Sequence, residues 1–264
     1  MSKLSEGLGG FVHLVERQML LHEERRKLAR QHGAGELKGP YNFITISRDI
    51  GALGDVVASE MALRLQWKVY DKEIVDYIAQ NSHIRRNLVD QLDEKAQSLV
   101  HESVERWLLM LQGQSYSSDE YHVALIKALA TLAAQGHSIL LGRGGAYALQ
   151  EQPGLHVRIT ASLPVRIRRL SKRWQTSIEK TKKVVLRTDA ERKEFIQHHF
   201  KPDRNESCYF HLIFNTDNLS VDHVAAAITG IIEQSQQPVT AFQPAMPEKI
   251  VFQSSEQVPG VLGR

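Results

Sequence analysis

Across residues 42–234 short apolar runs alternate with longer segments whose apolar positions recur every three or four residues. The short runs, rich in Ile, Val and Phe, predict strands at 42–47, 68–70, 138–142, 156–160 and 210–214, and the longer period predicts helices between them. That alternation marks a parallel sheet wrapped by helices, so five strands predict an α/β domain in three layers, α/β/α. Helix starts are legible from capping chemistry. Asp71 precedes Lys-Glu-Ile-Val, Ser117 and Thr188 each have Glu three positions on (Glu120, Glu191), and Ser162 stands before Leu163-Pro164. Residues 84–135 hold no strand-like run, while Trp107, Leu108 and Leu111 keep helical spacing. Two or three long helices are therefore expected as an insertion between the second and third strands.

The flanks differ from this core. Before Pro40, Phe11, Leu14, Val15, Leu20 and Leu21 outline an amphipathic helix that Gly33, Gly35 and Gly39 end. Beyond residue 236, Pro238, Pro244, Pro247 and Pro259 sit among Ser, Gln and Gly, the composition of a loosely ordered tail. The expected organisation is a helical extension over 1–40, a domain over 41–236 with its insertion at 84–135, and a flexible tail over 237–264.

Composition narrows the class. The 264 residues are 42% apolar and 24% charged, as in a globular protein, and 33 Lys plus Arg against 30 Asp plus Glu give a net charge of +3, too mild to announce a nucleic-acid binder. A single cysteine, Cys208, excludes an internal disulfide, and the twelve histidines form no Cys/His cluster at zinc spacing, so no metal centre is expected. A reducing cytoplasm fits. The most apolar stretch, 123–134, is broken by Lys127, and neither a signal peptide nor a membrane span is expected.

Charge is concentrated locally. Residues 158–204 carry fourteen Lys or Arg against five acids, a net +9. Arg166, Arg169 and Arg173 fall at i, i+3 and i+7, so one helix face presents three guanidiniums, whose planar forks match phosphate oxygens. A polyphosphate is the natural counter-charge; a solvated basic face and nucleic acid are the alternatives. Nucleic acid is disfavoured, because only Trp174, Phe195 and Phe200 accompany these cations and a single-strand binder needs several stacking platforms.

The first strand leads into Ser47-Arg48-Asp49-Ile50-Gly51-Ala52-Leu53-Gly54-Asp55 and then a helical pattern from Val56 to Leu65. Strand, glycine loop and helix form an anion cradle, in which converging backbone N–H groups and the helix's positive end face a phosphate. The signature G-x-x-x-x-G-K-[ST] is not met: in its two registers the lysine slot holds Gly54 or Asp55. A plain βα turn, with glycine for geometry, fits the same residues.

Taken in order, these motifs resemble the cytidylate kinase-like family, relatives of bacterial cytidylate kinase, over roughly residues 42–234. Ile46-Ser47-Arg48-Asp49 with Gly51 is similar to that family's phosphate loop, Ser-Arg-Glu-x-Gly-Ser-Gly-Gly. Tyr70-Asp71-Lys72-Glu73-Ile74 is similar to its short second strand, and Leu141-Gly142-Arg143-Gly144-Gly145 to its Gly-Arg-Gly motif. Residues 156–161 with Val165-Arg166-Ile167-Arg168-Arg169 resemble the strand and arginine-rich lid helix. Arg187-Thr188-Asp189-Ala190-Glu191-Arg192 resembles the segment that closes the lid, and residues 214–220 the last strand and turn. The resemblance implies a P-loop kinase-like fold with a five-stranded parallel sheet, a helical insertion and an arginine-rich lid over 162–204. It also implies transfer of a phosphoryl group from ATP, with Mg²⁺ carried by the nucleotide, to CMP or dCMP.

By the same resemblance, Ser47, Arg48, Gly51, Ala52, Leu53, Gly54 and Asp55 would hold the donor's phosphates. Arg48, Arg166, Arg173 and Arg187 would act on the transferring group, and Asp71, Arg143 and Asp189 on the acceptor. Helix capping accounts equally for Asp71 and Thr188, and Asp189 then reads as a first-turn acid. The chain departs from the family's Gly-Ser-Gly-Gly-Arg, having Gly51-Ala52-Leu53-Gly54-Asp55. A second reading follows from that departure: a catalytically degenerate kinase fold that binds nucleotide or a protein partner. The N-terminal helix and the insertion would then offer the docking surface, including for a homo-oligomer.

Overall fold

A computed structural model describes residues 41–112, 120–202 and 205–235. The expected N-terminal helix, the Ser117 cap and the C-terminal tail lie outside the described residues. Five strands form one parallel sheet: β1 (Phe43–Arg48), β2 (Lys68–Tyr70), β3 (Ser138–Leu141), β4 (Gly154–Thr160) and β5 (Leu212–Asn215), in the order β2-β3-β1-β4-β5. β1 is central, and its Ile46 stands opposite Leu141 on one side and Val157 on the other. The last strand begins two residues later than its apolar pattern suggests. A 3₁₀ turn over Glu206–Tyr209 consumes the chain there, and the Phe210 N–H closes it on the Ser207 carbonyl.

Alternation along the strands divides the core between two faces. Ile44 and Ile46 of β1, with Ile139, Leu141, Val157 and Ile159, pack under α1 (Gly54–Leu65) and α9 (Val221–Ser235). Phe43 and Leu140 face the other way, toward α2 (Lys72–Gln80) and the insertion, which is made of α3 (Ser82–Asp90), α4 (Glu94–Gln112) and α5 (Glu120–Gln135). Three helices thus occupy the interval where two or three were expected. Trp107 of α4 ties the insertion back to the sheet by donating its indole N–H to the Ala148 carbonyl at 3.1 Å, in the short helix α6 (Gly145–Ala148).

Two helices complete the domain, α7 (Leu163–Trp174) and α8 (Ile178–His199). α8 is continuous through residue 188, so Thr188 is not a helix cap and Asp189 is not in a first turn. No Gly or Pro interrupts 178–199, and the cap is Ser177, whose hydroxyl accepts the Lys180 N–H. Ser162 does precede α7 with Pro164 in the first turn, although its side chain makes no capping bond. At 22 residues α8 spans about 33 Å. Its first half packs Val185 near Leu170 of α7, and its second half lays Phe195 and Ile196 against the insertion.

Candidate functional site

The carboxyl ends of β1, β3 and β4 open into a cavity of about 820 Å³, roofed by α8 and bordered by Lys72 and Glu73 at the start of α2. This is the edge at which open parallel sheets bind ligands, because the loops there splay apart where the strand order reverses. Thr45, Ser47, Arg48 and Asp49 line it from β1 and the residue after it, and Arg158 from β4. The turn 142–144 and Tyr147 line it after β3. That turn is left-handed at three successive residues, Gly142 (φ 88°), Arg143 (φ 49°) and Gly144 (φ 70°). Glycine adopts this conformation without penalty, whereas at Arg143 it costs about 1 kcal/mol.

The strain aims Arg143 across the cavity wall. Its guanidinium pairs with Asp76 of α2 and lies 4.6 Å from the Phe195 ring centroid, and Asp76 also accepts the Tyr121 hydroxyl at 2.8 Å. Arg143 Nε remains buried without a hydrogen-bond acceptor. Arg158 is more fully committed: it donates to Ser47 Oγ at 3.0 Å and to Asp49 Oδ1 at 2.8 Å, and stands 3.2 Å from Glu206. Thr160 completes the Asp49 carboxylate at 2.6 Å.

Other cations remain uncommitted. Among the described residues the Arg48 guanidinium and the ammonium groups of Lys72 and Lys193 have no hydrogen-bond or ion-pair partner, and Arg192 donates only one N–H, to the Arg48 carbonyl at 2.8 Å. Burial, then the proximity of Arg192, pulls the Arg48 pKa down to about 10, partly offset by Asp55, Glu73 and Asp71. Burial also lowers that of Arg192, opposed by the nearby Asp189 and Asp49. Two like charges thus share a poorly hydrated wall, with the Asp49, Glu73 and Asp189 carboxylates on the same lining but bonded to neither. An anion is what this arrangement can hold.

The arginines of α7 point elsewhere. Arg166, 7% exposed, donates to the Ala161 carbonyl at 3.0 Å, the Ile50 carbonyl at 3.2 Å and Asp189 at 2.6 Å. Arg169 holds the Thr216 hydroxyl and carbonyl, and Thr216 in turn donates to the Ala52 carbonyl at 3.1 Å. Arg173 stands 3.6 Å from Asp55 on the surface, and Arg187 pairs with Glu191 along α8 at the same distance. The face predicted from i, i+3, i+7 spacing exists, yet it fastens α7 onto the loop after β1, with Ile50, Leu163, Ile167, Leu170 and Val185 packed beneath. Of the residues expected at the site, Ser47, Arg48, Arg143 and Asp189 border the cavity. Residues 51–55, Asp71, Arg166, Arg173 and Arg187 do not. Asp71 caps α2, accepting the Ile74 N–H at 3.0 Å, and delivers Lys72 and Glu73 to the rim instead.

The model of the cytidylate kinase-like family matches residues 43–218. The chain belongs to that family. Among solved structures, an uncharacterized protein from Eubacterium ventriosum is similar at TM-score 0.56 and 15% identity, over 73% of this chain and 98% of that one, which shows a shared fold. Shikimate kinases from Bacteroides thetaiotaomicron and Acinetobacter baumannii give TM-scores of 0.39 and 0.38 at 13% and 14% identity. They cover 72% and 75% of this chain and 98% and 96% of theirs. Among curated proteins none matches the chain. Membership gives this cytidylate kinase-like chain a kinase-like, nucleotide-binding P-loop fold.

Sequence reasoning passed over several residues of the site. Arg158 stood within the basic run without being distinguished from its neighbours, and Asp49 and Arg192 were matched within family motifs but given no role of their own. Asp76, Tyr121 and Phe195 carry no local signal, because their link to Arg143 spans 67, 22 and 52 positions of chain. Among the described residues no group of His, Cys, Asp and Glu could hold a metal ion, and no helix is long and apolar enough to cross a membrane.

Proposed function

We propose that this chain transfers the γ-phosphoryl group of ATP to a pyrimidine nucleoside monophosphate, CMP or dCMP. The observation that carries the reading is the cavity wall lined by Arg48, Arg192, Lys72 and Lys193, none of them ion-paired among the described residues, beside a left-handed turn that presents Arg143. Phosphoryl transfer asks little covalent chemistry of a protein and much positioning and charge neutralisation, which guanidiniums and ammoniums supply. In this reading an oxygen of the acceptor's phosphate attacks the γ-phosphorus, the bond to the β-phosphate oxygen breaks, and ADP leaves with the electron pair. Arg48 and Arg192 neutralise the transferring group, and Arg143 exchanges Asp76 for the acceptor phosphate. Mg²⁺ arrives on the nucleotide. Asp189 and Arg166 act together in holding the loop after β1, and Arg173 and Arg187 would reach the phosphates only after α7 and α8 shift. The cytoplasm, which supplies ATP and monophosphates, is the proposed location.

A second reading, nucleotide binding without transfer, is favoured by residues 51–55 lying outside the cavity under the clamp of α7. A coupled assay of ADP release from Mg-ATP against CMP, dCMP, UMP and AMP separates the two. Turnover stimulated by CMP or dCMP supports transfer. No acceptor-dependent turnover, with a melting temperature raised by nucleotide, supports the binding module. Absence of both effects removes either form of the proposal.

A further inference from the structure

We propose that Arg48, entering from the end of β1, takes the place of the lysine that the phosphate loop of this chain lacks. The inference rests on the nucleotide reading above. In a P-loop the lysine at the start of the helix extends to the β- and γ-phosphates. In one register its slot is Gly54, the first residue of α1; in the other it is Asp55, which is turned outward to Arg173.

The Arg48 stem already occupies the space into which a side chain at position 54 would grow. A Cβ built on Gly54 would lie 2.6 Å from Arg48 Cβ and 2.9 Å from its Cγ. The Cβ is fixed by the backbone of β1 and cannot swing aside. On the far side the guanidinium rests against Gly142, where any Cβ would collide with Arg48 Nη1. Glycine at position 54 is therefore the imprint of the arginine stem, and the missing lysine and that glycine have one explanation, whereas Gly142 is required by its left-handed backbone. The guanidinium ends at the cavity beside Arg192, unpaired among the described residues, with its charge retained at neutral pH despite a pKa lowered to about 10. An arginine there offers a planar fork where a lysine offers a point charge.

Calorimetric titration of the full chain with inorganic tripolyphosphate tests the substitution of one cation for the other. Loss of a charge-assisted contact of this kind predicts that Arg48→Gln binds about tenfold to a hundredfold more weakly than wild type. Gly54→Lys alone should lower the melting temperature without tightening binding. In the double variant Arg48→Gly/Gly54→Lys, which removes the Cβ that lies 2.6 Å from the new side chain, the lysine gains the vacated space, and affinity should return most of the way to wild type. That rescue stands as the test even if Arg48→Gln alone does not fold. Wild-type binding with an unchanged Arg48→Gln, a double variant no tighter than Arg48→Gly, or a Gly54→Lys chain that keeps its stability and binds more tightly would each overturn the assignment while leaving the nucleotide reading in place. A wild-type chain that fails to bind tripolyphosphate overturns both.

Discussion

Acid should loosen the β1–β4 seam through one side chain, His156. It is 1% exposed, its Nδ1 lies 2.8 Å from the Thr45 hydroxyl, and its ring sits 5.0 Å from that of His211. Burial first, and the neighbouring His211 second, push its pKa from 6.5 down to about 4. Because the folded pKa lies below the unfolded one, the unfolded chain binds more protons between these values. The stability contributed by neutral His156 is then complete above about pH 6.5 and falls as the pH drops toward 4. At 1.36 kcal/mol per pKa unit the loss is about 2 kcal/mol at pH 5 and about 3 kcal/mol at pH 4. Urea unfolding of wild type and of His156→Asn, whose amide stays neutral and can accept the Thr45 hydroxyl, isolates this contribution from other titrating groups. The stability difference between the two should shift by that amount, in favour of the variant, between pH 7.5 and 4. Curves that stay parallel to within about 0.5 kcal/mol over this range would refute the reasoning.

The Arg166–Asp189 pair gives a second prediction, since Asp189→Ala strands a guanidinium that is almost wholly buried. A loss of about 3–5 kcal/mol is expected in urea unfolding, against a smaller loss for Arg166→Met/Asp189→Leu; a single variant within 1 kcal/mol of wild type would show the clamp to be idle. Arg143→Ala should raise the acceptor KM about tenfold or more while leaving the KM for ATP near its wild-type value, because one guanidinium contact to phosphate is removed; unchanged kinetics would discard its role. Arg173→Ala, which breaks a pair more than half exposed on both sides, should change stability by less than about 1 kcal/mol; a larger loss of stability would mean the clamp on the loop extends to α7's outer end.

The fold was largely legible in the sequence because its cues are local. A strand such as Phe43–Arg48 is announced by its own residues, α2 by the Asp71 cap and α7 by Ser162 and Pro164. The expectation failed where two local signals competed. Thr188 with Glu191 reads as a capping box, but without a breaker in 178–199 and with Val185 packed under the helix, propagation of α8 prevails.

The sequence by itself determined the α/β architecture, the family and the presence of a large local excess of guanidiniums. Tertiary structure alone decided which of them face the cavity. Arg166, Arg169 and Arg192 are alike in composition and neighbourhood, yet the first two end on carboxylate, hydroxyl and carbonyl groups, and the third reaches the Arg48 carbonyl 144 positions away. A guanidinium fork fits a carboxylate as well as a phosphate. Its partner is set by distances through space, which the spacing of residues along one helix does not encode.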